Sequence, residues 1–326
     1  MLSPWKTPRI RKRPAGWRDA SPWAAFVLVG ALLLAIGAGC GHSRGKEATP
    51  TAPFAYDTSR PLRFKDHGRV NAKYPLAVRD VSFVAARKVI RGYLVVPPQG
   101  GRVPAVIYLH GAGGDRRELL VPASWLAAHD AIALTLTAPS ASATKPSGLA
   151  PAAALRWERD MQIRDVVAVR RAVDQLRSMP HVDRGRIGFV GWSAGARTGA
   201  IVSGVEPRIR VFVLMSGGAL PVGYYSALAP ARLRPELVRV LRQIDPLRFI
   251  ARAHAGTILL QDARQDQIVP GRALDALAAA APRGTIVRWY AAGHALNARA
   301  YRDQLAWLAR KLAIEGPPIP GAREGP

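Results

Sequence analysis

Cysteine is almost absent from this chain of 326 residues, which contains one, at position 40. A single cysteine cannot form an internal disulfide, so the folded part must be stabilised by its core. Hydrophobic residues make up 49 % of the sequence, which is enough for a substantial core and excludes a mainly disordered protein. The length allows one large domain or two small ones.

Acidic residues are also scarce, with 22 Asp and Glu against 47 Lys and Arg, for a formal net charge of +25. Such an excess can indicate nucleic-acid or anionic-membrane binding. The basic residues are spread along the chain, and no zinc-finger spacing, RNA-binding aromatic motif or basic recognition helix accompanies them. We therefore expect no nucleic-acid partner. No set of ligands has metal-site spacing, so we also expect no metal and no organic cofactor. Nothing in the pattern indicates an oligomeric state.

The N-terminus has the pattern of an export signal. A basic leader between Lys6 and Arg18 precedes an uncharged, mostly apolar run over 20–41. Cys40 ends the stretch "GAGC", which resembles the cleavage box of bacterial lipoproteins, where the cysteine is lipidated. An uncleaved membrane anchor is the alternative, because a bilayer is spanned by about 20 residues. We favour the lipoprotein; both interpretations predict an exported, membrane-anchored protein of the cell envelope.

The rest of the chain divides by composition. The predicted export signal covers residues 1–40. Residues 41–75 are polar and proline-bearing and predict a flexible tether. Residues 76–314 predict a folded domain, and 315–326 a flexible tail. Within the domain, apolar runs predict eight strands, at 81–85, 89–97, 104–111, 131–139, 186–192, 209–215, 256–261 and 285–292. Helical spacing occurs at 117–129, 157–178, 194–205, 231–243, 271–281 and 297–313. This alternation predicts a largely parallel sheet covered on both faces, with a hairpin at its start.

The stretch "VGWSAGART" places Ser193 between two glycines where a predicted strand runs into a predicted helix. A nucleophile on such a sharp turn needs small residues two positions before and after it, because larger side chains would collide with the strand and the helix. The helix N-terminus then points at the serine oxygen. We predict that Ser193 is a nucleophile.

A base and an acid follow in the order that such a site requires. His294, in "YAAGHALN", comes after the last predicted strand and is the predicted base. Asp266, in "LLQDARQDQIVP", precedes a predicted helix and is the predicted acid. Asp262 is the competitor, since it is closer to the predicted strand end at 261.

Backbone N–H groups are the predicted donors for an oxyanion. One is that of Ala194, after the nucleophile. The other comes from "YLHGAGGDRR", after the third predicted strand, with Ala112 preferred and Gly113 as the alternative. We expect His110 to orient this loop rather than to react.

With these stretches in place, the chain from about 78 to 313 resembles the dienelactone hydrolase and prolyl-oligopeptidase-like branch of the α/β hydrolases. The resemblance is carried by "IRGYLVVPPQGGRVPAVIYLHGAGGDRR", "VDRGRIGFVGWSAGA", "DARQDQIVP" and "AAGHA". It implies an α/β-hydrolase fold: an eight-stranded, mostly parallel sheet with helices on both faces and a short cap segment between Gly217 and Ala255. Dienelactone hydrolases proper use a cysteine nucleophile, so the serine here does not imply lactone specificity.

The resemblance and the residues together predict a serine esterase acting on carboxylic esters of modest size. Two alternatives come from other classes. A surface lipoprotein could keep this fold as a non-catalytic binding module, although the complete set of catalytic residues argues against that. A small peptidase is chemically possible, although the roughly 75 residues before the domain cannot form the propeller of the oligopeptidases.

Overall fold

The computed structural model describes residues 52–314, except 71–73, 75, 99–100, 220–221, 223–225, 228 and 255. The predicted export signal with Cys40 and the predicted tail at 315–326 lie outside the described residues. The strands are β1 Lys65–Arg69, β2 Val78–Ala85, β3 Lys88–Val95, β4 Val103–Leu109, β5 Ile132–Leu136, β6 Val182–Trp192, β7 Val211–Met215, β8 Ile258–Ala263 and β9 Ile286–Tyr290.

In the described part of the chain these strands form one sheet with the order β1-β2-β3-β5-β4-β6-β7-β8-β9. The pairs β1/β2, β2/β3 and β3/β5 are antiparallel, and all later pairs are parallel. Strands β5 and β7 are buried along their whole length, because a parallel sheet covered by helices has no solvent face. The predicted mostly parallel α/β sheet is confirmed.

Helices follow the strands as the hydrophobic spacing predicts. They are α1 Leu120–Ala127, α2 Pro151–Ser178, α3 Ala194–Ser203, α4 Arg234–Arg242, α5 Pro246–Ile250, α6 Gly271–Ala280 and α7 Ala298–Leu312, with short 3-10 turns at Ala52–Phe54, Pro139–Ser142 and Ala231–Leu233. Gly188 of β6 faces the leucines of α7, and its neighbour Phe189 faces α3. Because consecutive strand residues point to opposite faces, helices cover both sides of the sheet.

The sheet has nine strands rather than the eight predicted. The added strand is β1, whose sequence KDHGR is polar throughout and exposed at nearly every position. A strand at the edge of a sheet can be held by its backbone ladder alone, here to β2. Hydrophobic periodicity therefore gives no signal for it.

The segment before β2 also corrects the predicted tether of 41–75 over its described part. Phe54 is fully buried and packs edge-on against Phe249, with ring centroids 5.3 Å apart. Arg170 and Arg171 of α2 donate hydrogen bonds to the carbonyls of Phe54 and Arg60, both at 2.7 Å. The folded domain thus begins well before residue 76, since one buried aromatic and two arginines fix a segment of otherwise loop-like composition.

The segment predicted as a short cap, from Gly217 to Ala255, contains α4 and α5 in its described part. None of the helices in the described residues is both long and apolar enough to cross a membrane.

The parallel strands bring their carboxyl ends to one edge of the sheet, which is where open α/β sheets bind ligands. The loop after β4, the turn after β6 and the loops after β8 and β9 all begin at this edge. These four connections contain the predicted oxyanion loop, nucleophile, acid and base in turn.

Candidate active site

Ser193 lies on a strained turn between β6 and α3. Its φ of 55° and ψ of −114° place a non-glycine residue in a region that L side chains rarely adopt. A Cβ at Gly191 would overlap the carbonyl of Gly195, and one at Gly195 would overlap the carbonyl of Leu109. The two glycines of the G-x-S-x-G pattern are therefore required by close packing, as the sequence predicts.

The structure brings the three predicted catalytic side chains together. The Ser193 Oγ lies 2.9 Å from the Nε2 of His294, and the Nδ1 of His294 lies 2.8 Å from the Oδ2 of Asp266. With Nδ1 donating to the carboxylate, Nε2 is the unprotonated nitrogen and can accept the serine proton. A hydroxyl, an imidazole and a carboxylate thus form one continuous hydrogen-bonded chain.

Asp266 is held as a carboxylate by its surroundings. Its second oxygen, Oδ1, accepts the N–H groups of Ile268 and Val269 at 2.8 and 2.9 Å. Burial by itself raises the pKa of Asp266, but the hydrogen bonds from His294 and from these two amides outweigh it, so the pKa lies below its usual value. An ionised Asp266 can stabilise a positive charge on His294.

Asp262, the competing acid of the sequence analysis, lies inside β8 rather than in the loop beyond it. Strand β8 continues to Ala263, two residues past the predicted end at 261. Asp262 is 3 % exposed, and no hydrogen bond among the described residues joins it to His294. Burial raises its pKa to about 7, and the charges of Asp266 and Asp275 add to the shift. The geometry therefore places Asp266, and not Asp262, beside His294.

The loop after β4 lies against the turn at Ser193. A Cβ on Gly111 would come within 3.3 Å of the Ser193 Cβ, so the backbone of Gly111 touches the turn. His110 bridges the loop to the segment after β5, since its Nε2 accepts the Ala138 N–H at 2.9 Å and its Nδ1 donates to the Gly111 carbonyl at 2.6 Å. Burial lowers the pKa of His110, which favours this neutral form. The ring thus orients the loop, as expected from the sequence.

The predicted oxyanion donors are not used elsewhere. Among the hydrogen bonds of the described residues, none is donated by the N–H of Ala112, Gly113 or Ala194. Ala194 is the first residue of α3, where an N–H has no partner within the helix. Ala112 and Gly113 are both exposed at the edge of the sheet that contains Ser193.

Two residues of the site were not identified from the sequence. Trp192 donates from Nε1 to the carbonyl of His294 at 2.9 Å, and the two rings lie 5.2 Å apart, so this tryptophan helps to hold His294 in place. The sequence feature that could have identified Trp192 is its position inside the G-x-S-x-G pattern. Glu118 accepts the Gly111 N–H at 2.9 Å, and no sequence periodicity marks such a contact.

No group of three or more His, Cys, Asp or Glu side chains with metal-site geometry occurs among the described residues. The groups that the structure brings together at this site are a serine hydroxyl, an imidazole and a carboxylate, with backbone N–H groups beside them.

Neither a family model nor a curated protein matches the sequence. Solved structures do match it. The acetyl xylan esterase of Paenibacillus sp. R4 is 19 % identical with a TM-score of 0.66, over 77 % of this chain and 90 % of that one. Acetyl xylan esterase 1 of Thermoanaerobacterium sp. JW/SL YS485 is 19 % identical with a TM-score of 0.62, over 78 % and 89 %.

The acylaminoacyl peptidase of Pyrococcus horikoshii is 16 % identical with a TM-score of 0.56, over 78 % of this chain but 43 % of that one. At these identities the likeness concerns the fold. Together with the sheet order and the turn at Ser193, it shows that the chain has the α/β-hydrolase fold.

The buried carboxyl of Asp262 generates a prediction about stability. Its folded pKa of about 7 lies above the unfolded value, so the neutral form contributes stability that is complete at low pH and is lost as the pH rises through about 7. Asp262→Asn is neutral at every pH. We expect the melting temperature of the wild type to fall more than that of Asp262→Asn between about pH 5 and about pH 8.5.

Thermal melts of both proteins across that range measure the difference. Asp160→Asn, at a carboxyl whose side chain is 47 % exposed, is the matched control and should follow the wild type. Parallel curves for the wild type and Asp262→Asn would contradict the prediction.

Proposed function

We propose that this protein is a serine hydrolase that cleaves carboxylic esters of modest size. The observation that carries the proposal is the hydrogen-bonded chain from Ser193 through His294 to Asp266, with the serine on a strained turn. An unactivated hydroxyl is a poor nucleophile, and this arrangement supplies the base that activates it.

The first half of the proposed reaction forms an acyl-enzyme. Ser193 Oγ attacks the ester carbonyl while His294 Nε2 takes its proton, and Asp266 stabilises the resulting imidazolium. The N–H groups of Ala112 and Ala194 donate to the oxyanion of the tetrahedral intermediate. Collapse of this intermediate breaks the bond to the alcohol, which receives the proton from His294.

The second half uses water as the nucleophile. His294 takes a proton from water, the hydroxide attacks the acyl carbonyl, and the oxyanion is bound by the same two amides. The second intermediate releases the acid, and the proton returns to Ser193. Each proton therefore moves through one nitrogen, the Nε2 of His294.

The restriction to small esters is supported by the cap and by the neighbours. The cap segment between β7 and β8 is short, with α4 and α5 in its described part, and does not have the length of a large lid. Two of the matched structures are named as acetyl xylan esterases, which favours short acyl groups. The match to an acylaminoacyl peptidase covers 43 % of that protein, so peptide hydrolysis is the weaker candidate.

The first prediction of this mechanism concerns the nucleophile. Ser193→Ala should abolish labelling by a fluorophosphonate probe and lower ester turnover by about 10⁴-fold or more, because no other hydroxyl is paired with His294 in the described site. The assay uses short and long p-nitrophenyl esters beside a peptide anilide. Ser203→Ala, at the far end of α3, is the control and should label normally. Undiminished labelling of Ser193→Ala would place the nucleophile elsewhere.

A second prediction distinguishes the two aspartates. Asp266→Asn keeps the shape but removes the charge and the acceptor that fix the His294 tautomer, so turnover should fall by about 10²- to 10⁴-fold. Asp262→Asn should cost about tenfold or less, because Asp262 makes no hydrogen bond to the base. Ester hydrolysis by both folded variants provides the measurement. An inactive Asp262→Asn beside an active Asp266→Asn would reverse the assignment.

We also propose that the domain is exported and held at the membrane of a bacterial cell envelope, through a lipid on Cys40 or through an uncleaved apolar segment. The support is the sequence pattern alone: a basic leader, an uncharged run over 20–41, and a cysteine after small residues. The lipid is the favoured form.

If Cys40 is lipidated, Cys40→Ser should release the protein from membranes or leave an unprocessed precursor, because the modified sulfur is lost. Fractionation of cells and the intact mass of the product measure the outcome. If the Cys40→Ser protein stays in the membrane and its polypeptide has the same mass as that of the wild type, the uncleaved anchor is favoured.

A further inference from the structure

Glu118 is the carboxylate of the site that the reaction above does not use. It follows the loop after β4 and precedes α1, and one of its oxygens, Oε2, accepts the Gly111 N–H at 2.9 Å. Its carboxyl also packs against the α-carbon of Gly114, where an added Cβ would overlap it. Glu118 therefore contacts both ends of the loop from Gly111 to Gly114.

The carbonyl of Gly111 is also fixed by hydrogen bonds. It accepts the Nδ1–H of His110 at 2.6 Å and the N–H of Gly114 at 3.2 Å. Because Glu118 accepts the N–H of Gly111, the peptide groups on both sides of Gly111 are held by hydrogen bonds. Neither peptide plane can rotate without breaking a hydrogen bond.

Planarity of the peptide group extends this to the oxyanion donor. The carbonyl of Gly111 and the N–H of Ala112 belong to one peptide, and no cis peptide bond occurs in the described chain. In a trans peptide the two groups point in opposite directions. Because the carbonyl points toward His110 and Gly114, the Ala112 N–H points away from them. The direction of the Ala112 N–H is therefore set before any substrate binds. The Gly113 N–H shares its peptide with the Ala112 carbonyl, and no hydrogen bond among the described residues fixes that carbonyl.

The electrostatic surroundings of Glu118 link it to the same site. Burial raises the pKa of its carboxyl and the Asp115 charge adds to the increase, while the Gly111 hydrogen bond and His294 oppose it. Asp115 is itself paired with Arg117. Tyr301 of α7 is close enough for the Glu118 charge to add to the burial that raises the tyrosine pKa to about 12.

We propose that Glu118 is a positioning residue of the oxyanion hole: by accepting the Gly111 N–H, it keeps the loop in the conformation that aims the Ala112 N–H at the reacting carbonyl. The inference rests on the proposed hydrolase function. It assigns the second oxyanion donor to Ala112 rather than Gly113, and it predicts an effect on the transition state and not on substrate binding.

The test compares Glu118→Ala with Glu118→Gln. The alanine removes the acceptor, so the loop can rotate, and kcat should fall about 10- to 100-fold with KM changed by less than about threefold. The glutamine keeps an acceptor oxygen for the Gly111 N–H and should restore kcat to within about threefold of the wild type. Rescue by glutamine identifies the hydrogen bond, rather than the charge, as the cause.

A boronic acid inhibitor gives a second readout that a loss of packing would not mimic. Its tetrahedral adduct with Ser193 places an oxygen in the oxyanion hole, so its affinity should fall in Glu118→Ala by about the same factor as kcat/KM. Affinity for the p-nitrophenol product of the assay should stay within about threefold, since this leaving group has no carbonyl oxygen to place in the oxyanion hole. Asp183→Asn, at the opposite end of β6 from Ser193, should match the wild type in every assay.

The outcomes separate the two proposals. A wild type that is active and a Ser193→Ala that is inactive support the hydrolase function whatever Glu118 does. If Glu118→Ala then keeps its kcat and its boronic acid affinity, the positioning role is wrong. It is also wrong if Glu118→Gln loses as much activity as Glu118→Ala. If the wild type hydrolyses no ester but binds the boronic acid, the affinity difference between wild type and Glu118→Ala still decides the inference.

Discussion

The left-handed backbone at Ser193 is the constraint around which the rest of this structure is arranged. A non-glycine residue with this φ and ψ costs on the order of 1–3 kcal/mol, and it persists only when its surroundings over-determine it. Here the Ser193 N–H is held by the Met215 carbonyl at 2.7 Å, and two glycines allow the strand, the helix and the loop after β4 to approach within contact distance. The same turn places the hydroxyl outside the sheet edge, where a base from another loop can reach it.

The parallel sheet supplies the second condition. The loops after β4, β8 and β9 come from distant parts of the sequence, yet they begin at one edge because their strands run in the same direction. Interactions through backbone atoms then complete the site: His110 and Glu118 hold the peptide groups of Gly111, and Trp192 holds the carbonyl of His294. Much of the geometry of this site is therefore held by groups other than Ser193, His294 and Asp266.

The sheet, most helices and the proximity of Ser193, Asp266 and His294 can be predicted from the sequence for physical reasons that can be named. Apolar runs indicate buried strands. The G-x-S-x-G pattern reflects a steric requirement for glycine, which can be read directly from the residue types. The choice between Asp262 and Asp266 depended on a strand end, and β8 extends two residues beyond the predicted end at 261. Glu118 could not be found in this way, because a side chain bonded to a backbone N–H leaves no periodic trace. Strand β1 and the packing of Phe54 were missed because one is polar and the other is a single aromatic in a loop-like segment.

The attachment of that N-terminal segment has a mechanical consequence. Arg170 and Arg171 lie on the same long helix, α2, and bind the carbonyls of Phe54 and Arg60 on the way into the sheet. A pulling force applied upstream of residue 54 is therefore resisted first by α2 and by the buried ring of Phe54. The edge strand β1 comes later in the chain and would otherwise peel off one ladder bond at a time. The hydrogen bonds from α2 therefore keep a force in the preceding chain from reaching β1 and the rest of the sheet.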